Sequence, residues 1–92
     1  MGKNIVVYTS SVGGMLIPKQ TSSLLTIIKA YTHEDPKVVY LDVEAPETRK
    51  AIWDKSGKRG VYPLLFIDDE FIGDYDTVVD LNEAELLKPK LL

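Results

Sequence analysis

Hydrophobic residues occur along this chain in short runs and at helical spacing, and polar or glycine-rich segments separate them. The apolar runs Asn4 to Thr9, Lys37 to Val43 and Leu64 to Ile67 predict buried strands. The first run is apolar on both faces, which is typical of a central strand covered by helices on both sides. Phe71 to Gly73 follows the polar turn Asp68 to Glu70 and predicts the second arm of a hairpin.

Helical spacing after the first strand predicts the first helix. It begins at about Ile17 or Pro18, where a proline suits the first turn because its missing N–H costs nothing there. The apolar stripe, spaced i, i+3, i+4 and i+7, comprises Leu24, Ile27, Ile28 and Tyr31. Ser10 to Gly14 is a loop by composition, and the residues from His33 to Pro36 end the helix.

A second helix starts within Glu44 to Glu47, with Pro46 in its first turn, and Gly57 ends it as a left-handed cap. Its apolar residues are Ala51, Ile52 and Trp53.

The third helix follows Asp74 and Asp76, each of which can cap a helix N-terminus. Its inward residues are Val78, Val79 and Leu81. The segment from Glu83 to Leu87 either continues this helix or forms a separate turn, and we expect Lys88-Pro89-Lys90 to stop helical structure.

The predicted order is therefore β-α-β-α-β-β-α in one domain over residues 1–92. A helix joins the first two strands, so they are parallel with a right-handed crossover, and the final hairpin is antiparallel. The result is an α/β fold with a four-stranded mixed sheet flanked by three helices. This order is that of the thioredoxin-like fold in its minimal, glutaredoxin-type form.

The amino-acid composition excludes several kinds of reaction and binding site. The 92 residues contain no cysteine, which removes disulfides, thiolate metal sites and cysteine-based reactions. His33 is the only histidine, so a histidine metal cluster is excluded. The net charge is −3 with both signs mixed along the chain, and we expect neither nucleic-acid nor membrane binding. No apolar run approaches the roughly 20 residues of a membrane span.

Several segments carry a resemblance to a known family. They are Val7-Tyr8 with the loop Ser10 to Gly14, Thr48-Arg49-Lys50 with Trp53, Gly60-Val61-Tyr62-Pro63, and Gly73-Asp74-Tyr75-Asp76. With these segments the chain resembles the SH3-binding glutamic-acid-rich protein-like family, small eukaryotic proteins of thioredoxin fold that lack the redox cysteines. The resemblance implies a redox-inactive, non-enzymatic protein-interaction or regulatory module, without a cofactor, in the cytoplasm or the nucleus. It does not identify the protein partner.

SH3 domains recognise P-x-x-P segments, and this chain has no such spacing. The sequence therefore does not support SH3 binding.

The resemblance places the partner site on the face where redox members of the fold carry their nucleophile, between the first strand and the first helix. It also implies that the Tyr62-Pro63 bond is cis. The candidate site residues are Ser10, Ser11, Gly13, Gly14, Met15, Tyr62, Pro63, Asp74, Tyr75 and Asp76.

Two alternatives use the same face. In glutaredoxins, backbone N–H groups at the start of the last helix hold a carboxylate of glutathione. The chain is then a glutathione-binding protein or a vestigial glutathione-dependent enzyme, although Asp74 and Asp76 would repel that carboxylate, so we expect at most weak binding. The other alternative is a subunit that dimerises through Met15, Leu16 and Ile17.

Other residues each have a structural and a functional interpretation. Asp74 and Asp76 can both cap a helix, and the alternative role of Asp76 is to receive the glutamyl ammonium of glutathione. The basic group Lys50, Lys55, Lys58 and Arg59 is either a solvated face or a site for an acidic partner. Trp53 is a half-buried helix residue or an interface anchor. Tyr8 is a core residue or, as in glutathione transferases, a phenol that activates a thiol.

Overall fold

The four strands are β1 (Ile5–Thr9), β2 (Lys37–Tyr40), β3 (Leu64–Ile67) and β4 (Glu70–Asp74). The computed structural model describes residues 3–12, 14–33 and 35–91. The strands form one sheet in the order β2-β1-β3-β4, in which β1 is parallel to β2 and antiparallel to β3. β3 and β4 form an antiparallel hairpin. The predicted mixed sheet, and with it the α/β fold, is confirmed.

Three long helices flank the sheet: α1 (Leu16–Tyr31), α2 (Pro46–Ser56) and α3 (Tyr75–Glu83). A short helix, α4 (Leu87–Leu91), follows them. In the part of the chain that the structure describes, no helix is both long and apolar enough to cross a membrane.

The core lies on both faces of the sheet because β1 buries alternate residues on opposite sides. Ile5 and Val7 pack with residues of α1 and α3, including Leu24, Ile28 and Val78. Val6 packs on the other face with Leu41, Ile52, Leu64 and Phe66. The predicted central position of the first strand is confirmed.

The second strand is shorter than predicted. It ends at Tyr40, and Leu41–Val43 forms a 3₁₀ turn closed by the Glu44 N–H, which donates to the Leu41 carbonyl at 3.2 Å. Tyr40 pairs with Thr9, the last residue of β1. Because the neighbouring strand ends there, residues beyond Tyr40 have no parallel partner.

The prediction that Lys88-Pro89-Lys90 stops helical structure is wrong, because these residues lie inside α4. Pro89 is the third residue of that helix, where its missing N–H removes no intrahelical hydrogen bond. Leu87 and Leu91, one turn apart, are both buried and hold the short helix on the core.

The predictions for the start, the end and the apolar residues of α2 are confirmed in part. Pro46 begins the helix, and Gly57 caps its end with φ +67°. Ile52 is buried as expected, but Ala51 is exposed. The single buried residue leaves most of α2 facing solvent.

The β3–β4 hairpin turn has two residues, Asp68 and Asp69, with φ of +52° and +67°. Glycine adopts this left-handed conformation without strain, so we expect Asp69→Gly to raise the free energy of unfolding by about 0.5–1 kcal/mol. Asp68→Gly is the matched control, since it also removes the carboxylate that accepts from the Asn4 N–H at 2.9 Å. Urea denaturation of both variants tests this; equal effects would contradict it.

Candidate functional site

The register of the sheet brings the three predicted site segments to one end of it. Tyr8, next to the end of β1, pairs with Leu64 at the start of β3. Leu64 pairs with Asp74 at the end of β4. The loop after β1, the Tyr62-Pro63 segment before β3 and the start of α3 therefore meet at this end.

A small cleft of about 70 Å³ lies between the Tyr62 segment and the start of α3. It is lined by Gln20, Val61, Tyr62, Asp74, Tyr75 and Asp76. The Tyr62-Pro63 bond is cis, and Pro63 itself is fully buried rather than exposed in the cleft.

The sequence did not indicate Gln20 or Val61 as lining residues. Gln20 lies on α1, four residues before the first residue of the apolar stripe, and no motif marks it. Its place in the cleft depends on how α1 lies beside α3, which is tertiary information.

Asp74 is the N-cap of α3. Its carboxylate accepts a hydrogen bond from the Thr77 N–H at 3.0 Å. This bond lowers the pKa of the Asp74 carboxyl below the ordinary aspartate value of 3.8, and a smaller contribution comes from the positive charge of Lys58. Asp76 lies within the first turn of α3. The helix N-terminus is thus already capped by a carboxylate of the chain itself.

The loop after β1 is held by a carboxylate on the 3₁₀ turn. Asp42 accepts the Ser11 N–H at 2.9 Å and also the Ser11 hydroxyl. The two hydrogen bonds lower the pKa of the Asp42 carboxyl. Ser10 is buried, and its hydroxyl accepts the Val12 N–H at 3.2 Å.

Ser10 and Ser11 do not line the cleft between Tyr62 and Asp74 but border a second one. This second cleft of about 370 Å³ is lined by Thr9, Ser10, Ser11, Pro18, Thr21, Ser22, Leu25 and Tyr40. The Thr21 hydroxyl donates to the Ile17 carbonyl at 2.8 Å, so in the 2.7 Å contact between the hydroxyls of Thr9 and Thr21 the donor is Thr9.

The structure therefore divides the predicted site residues between two clefts at the same end of the sheet. Met15 lines neither cleft and projects into solvent, with 89% of its surface exposed. Gly14 has φ +79° in the loop. Gly13 lies outside the described residues.

Tyr8 packs edge-on against Phe66, with ring centroids 5.1 Å apart. Burial raises the pKa of the Tyr8 phenol, and the negative charges of Asp69 and Glu44 raise it further. The raised pKa keeps the Tyr8 phenol protonated.

The two lowered aspartate pKa values predict acid sensitivity. Carboxylates whose folded pKa lies below the unfolded value contribute stability above the unfolded pKa, and this contribution is lost as pH falls through the folded pKa. We expect the free energy of unfolding to fall as the pH drops below about 4, with a shallower fall in Asp74→Asn, which keeps a capping side chain. Asp80→Asn on α3 is the control; an equal change in both variants would contradict the assignment.

Comparison of the sequence with protein-family models and with curated proteins gives no match. Solved structures do match over nearly the whole chain. The actin interacting protein Aip5 of C. albicans has a TM-score of 0.81 at 24% identity, covering 97% of this chain and 88% of that one. The dithiolic glutaredoxin 2-C-Grx1 of Trypanosoma brucei brucei has a TM-score of 0.73 at 24% identity, covering 98% and 88%. Holo glutaredoxin C1 of Populus tremula x tremuloides has a TM-score of 0.70 at 29% identity, covering 95% and 81%.

The chain has a glutaredoxin-like thioredoxin fold. It carries this fold without any cysteine. Thiol chemistry needs a thiolate as its nucleophile, and the chain supplies none. The glutaredoxin-like fold of this chain is thus consistent with a redox-inactive protein.

Proposed function

We propose that this protein is a non-enzymatic protein-binding module, of the SH3-binding glutamic-acid-rich protein-like type, that acts in the cytoplasm or nucleus. The observation that carries the proposal is the exposure of apolar side chains on the segment after β1. This segment contains no cysteine, and it exposes apolar side chains: Val12 is 66% exposed, Met15 89% and Leu16 62%. Exposed apolar residues grouped on one segment are typical of protein-interaction surfaces.

Among the structural neighbours, the one described as an actin interacting protein supports a binding role for this fold. It makes actin the first partner to test. Met15, Leu16 and the neighbouring clefts would form the contact surface, and burying the apolar side chains against a partner supplies the binding free energy.

The test is co-sedimentation and fluorescence binding with purified actin. We expect the double substitution Met15→Glu with Leu16→Glu to weaken binding about ten-fold or more, because each charge would lie in an apolar contact. Leu86→Glu is a single-charge control, since Leu86 is an exposed apolar residue, with 55% of its surface exposed, but lies between α3 and α4. If the protein does not bind actin, actin is excluded as the partner. If both variants lose the same affinity for actin, the proposed location of the surface is contradicted.

Glutathione binding is the second candidate function, favoured by the cleft beside Tyr62 and the adjoining N-terminus of α3. We expect a dissociation constant of about 1 mM or weaker. The Thr77 N–H already bonds to Asp74, and a glutathione carboxylate would approach the charges of Asp74 and Asp76.

The measurement is a glutathione titration that follows the backbone amides of Tyr62, Asp74, Tyr75 and Asp76 by NMR. Asp74→Asn keeps the cap but removes one charge, so it should bind more tightly than the unsubstituted protein. Saturation at micromolar glutathione would place the glutathione function first.

A further inference from the structure

A second surface, away from the segments considered above, forms where α2 ends. The Gly57 N–H donates to the Trp53 carbonyl at 2.8 Å, and Gly57 and Gly60 have φ of +67° and +72°. These left-handed residues turn the chain back along the helix. The turn places the Arg59 guanidinium carbon 5.4 Å from the centroid of the Trp53 ring, a cation–π contact.

Between the helix end and this loop lies a cleft of about 600 Å³ lined by Lys50, Trp53, Asp54, Gly57 and Arg59. Its size falls within the range of about 300–1,000 Å³ that is typical of ligand sites. None of its lining residues borders the clefts at Tyr62 or Ser10.

The charge of this cleft is opposite to that of the protein as a whole. The chain has a net charge of −3, but Lys50 and Arg59 lie in the cleft wall, and Lys55 and Lys58 lie in the same stretch of chain. Among the described residues of the wall, Asp54 is the one that is acidic. Within the described part of the chain, neither Lys50 nor Arg59 forms an ion pair.

Trp53 adds an aromatic surface beside these cations. Its indole N–H is buried and has no acceptor among the described residues. Tryptophan and arginine are enriched among the residues that contribute most to protein–protein binding. The wall of the cleft thus combines an aromatic anchor with two unpaired cations.

We propose that this cleft binds an acidic peptide segment of a protein partner, whose carboxylates pair with Lys50 and Arg59 while its apolar atoms pack on Trp53. Charge complementarity selects this occupant, because two unpaired cations border one cleft in an otherwise acidic protein. A nucleic acid fits less well, since its continuous negative backbone would extend over the acidic remainder of the surface. The surface is separate from the one assigned to actin, so either assignment can fail alone.

The experiment uses a hexaglutamate peptide, blocked at both ends, as the probe. Trp53 is the only tryptophan, so its fluorescence reports on the cleft directly. We expect a saturable change that weakens as salt rises, since salt screens exposed ion pairs. The double substitution Lys50→Gln with Arg59→Gln should weaken binding about five-fold or more.

The matched control is Lys19→Gln with Lys29→Gln, which removes the same charge from exposed positions of α1. It should leave binding within about two-fold of the unsubstituted protein. The proposal is overturned by no saturable signal, by equal binding of hexaglutamine, or by equal losses in the two double variants. Tighter binding of a hexameric single-stranded oligonucleotide would overturn it as well.

Discussion

Purified protein should show no turnover of a glutathione mixed disulfide above the buffer blank. Thiol–disulfide exchange begins when a thiolate attacks a disulfide sulfur, and a chain without cysteine cannot form the mixed disulfide that follows. The serine hydroxyls after β1 do not replace it. A serine oxygen cannot form the mixed disulfide, and the Asp42 carboxylate that accepts the Ser11 hydroxyl is a weak general base because its pKa is lowered. Loss of the whole enzymatic rate, relative to a glutaredoxin, is the largest effect that we predict.

A cysteine variant tests whether adding a thiol after β1 is enough to produce turnover. Ser11→Cys would place sulfur beside the Asp42 carboxylate, which accepts both the backbone N–H and the side chain of residue 11. A negative charge at that distance raises the pKa of a thiol, so the variant should gain almost no activity. Ser11→Cys with Asp42→Asn removes that charge and should be the more active of the two. Turnover by the unsubstituted protein would contradict the non-enzymatic assignment.

The sequence predicts most of the fold because its strongest signals are local. The apolar stripe of α1 and the runs of β1 and β3 mark their elements directly, and Gly57 marks the end of α2. The errors occur where a neighbour decides the outcome. β2 ends where its partner β1 ends, and α4 forms around Pro89 because Leu87 and Leu91 are buried on the core.

The candidate site is less predictable than the fold, because contacts between elements that are distant in sequence determine it. The resemblance to a known family predicted that Tyr62 and Asp74 lie on one face, and both residues line one cleft. Spacing could not show that Ser11 binds Asp42, because the two residues are brought together by the parallel pairing of β1 and β2. It also could not show that Arg59 covers Trp53, since this contact depends on a loop that two left-handed glycines turn back.

Gly73→Ala should destabilise the protein by about 1–3 kcal/mol, the usual cost of overpacking. A Cβ atom at residue 73 would lie 2.7 Å from the Thr77 Cβ and 2.6 Å from its Cγ2. Rotating the Thr77 side chain moves Cγ2 but not Cβ, which is attached to the backbone of α3. Relief therefore requires a shift of the first turn of α3, and that turn carries the Thr77 N–H bonded to Asp74.

The cause can be isolated with a double-mutant cycle measured by urea denaturation. Thr77→Ala keeps the Cβ atom, so Gly73→Ala should remain destabilising in that background. Thr77→Gly removes both contacting atoms at a cost of about 0.3 kcal/mol in helix propensity, and Gly73→Ala should then be nearly neutral. The coupling between residues 73 and 77 is expected to be about 1 kcal/mol or more, which is typical of residues in contact. If the free-energy changes are additive across the four proteins of the Thr77→Gly cycle, the close approach of β4 to α3 is not the reason for glycine at position 73.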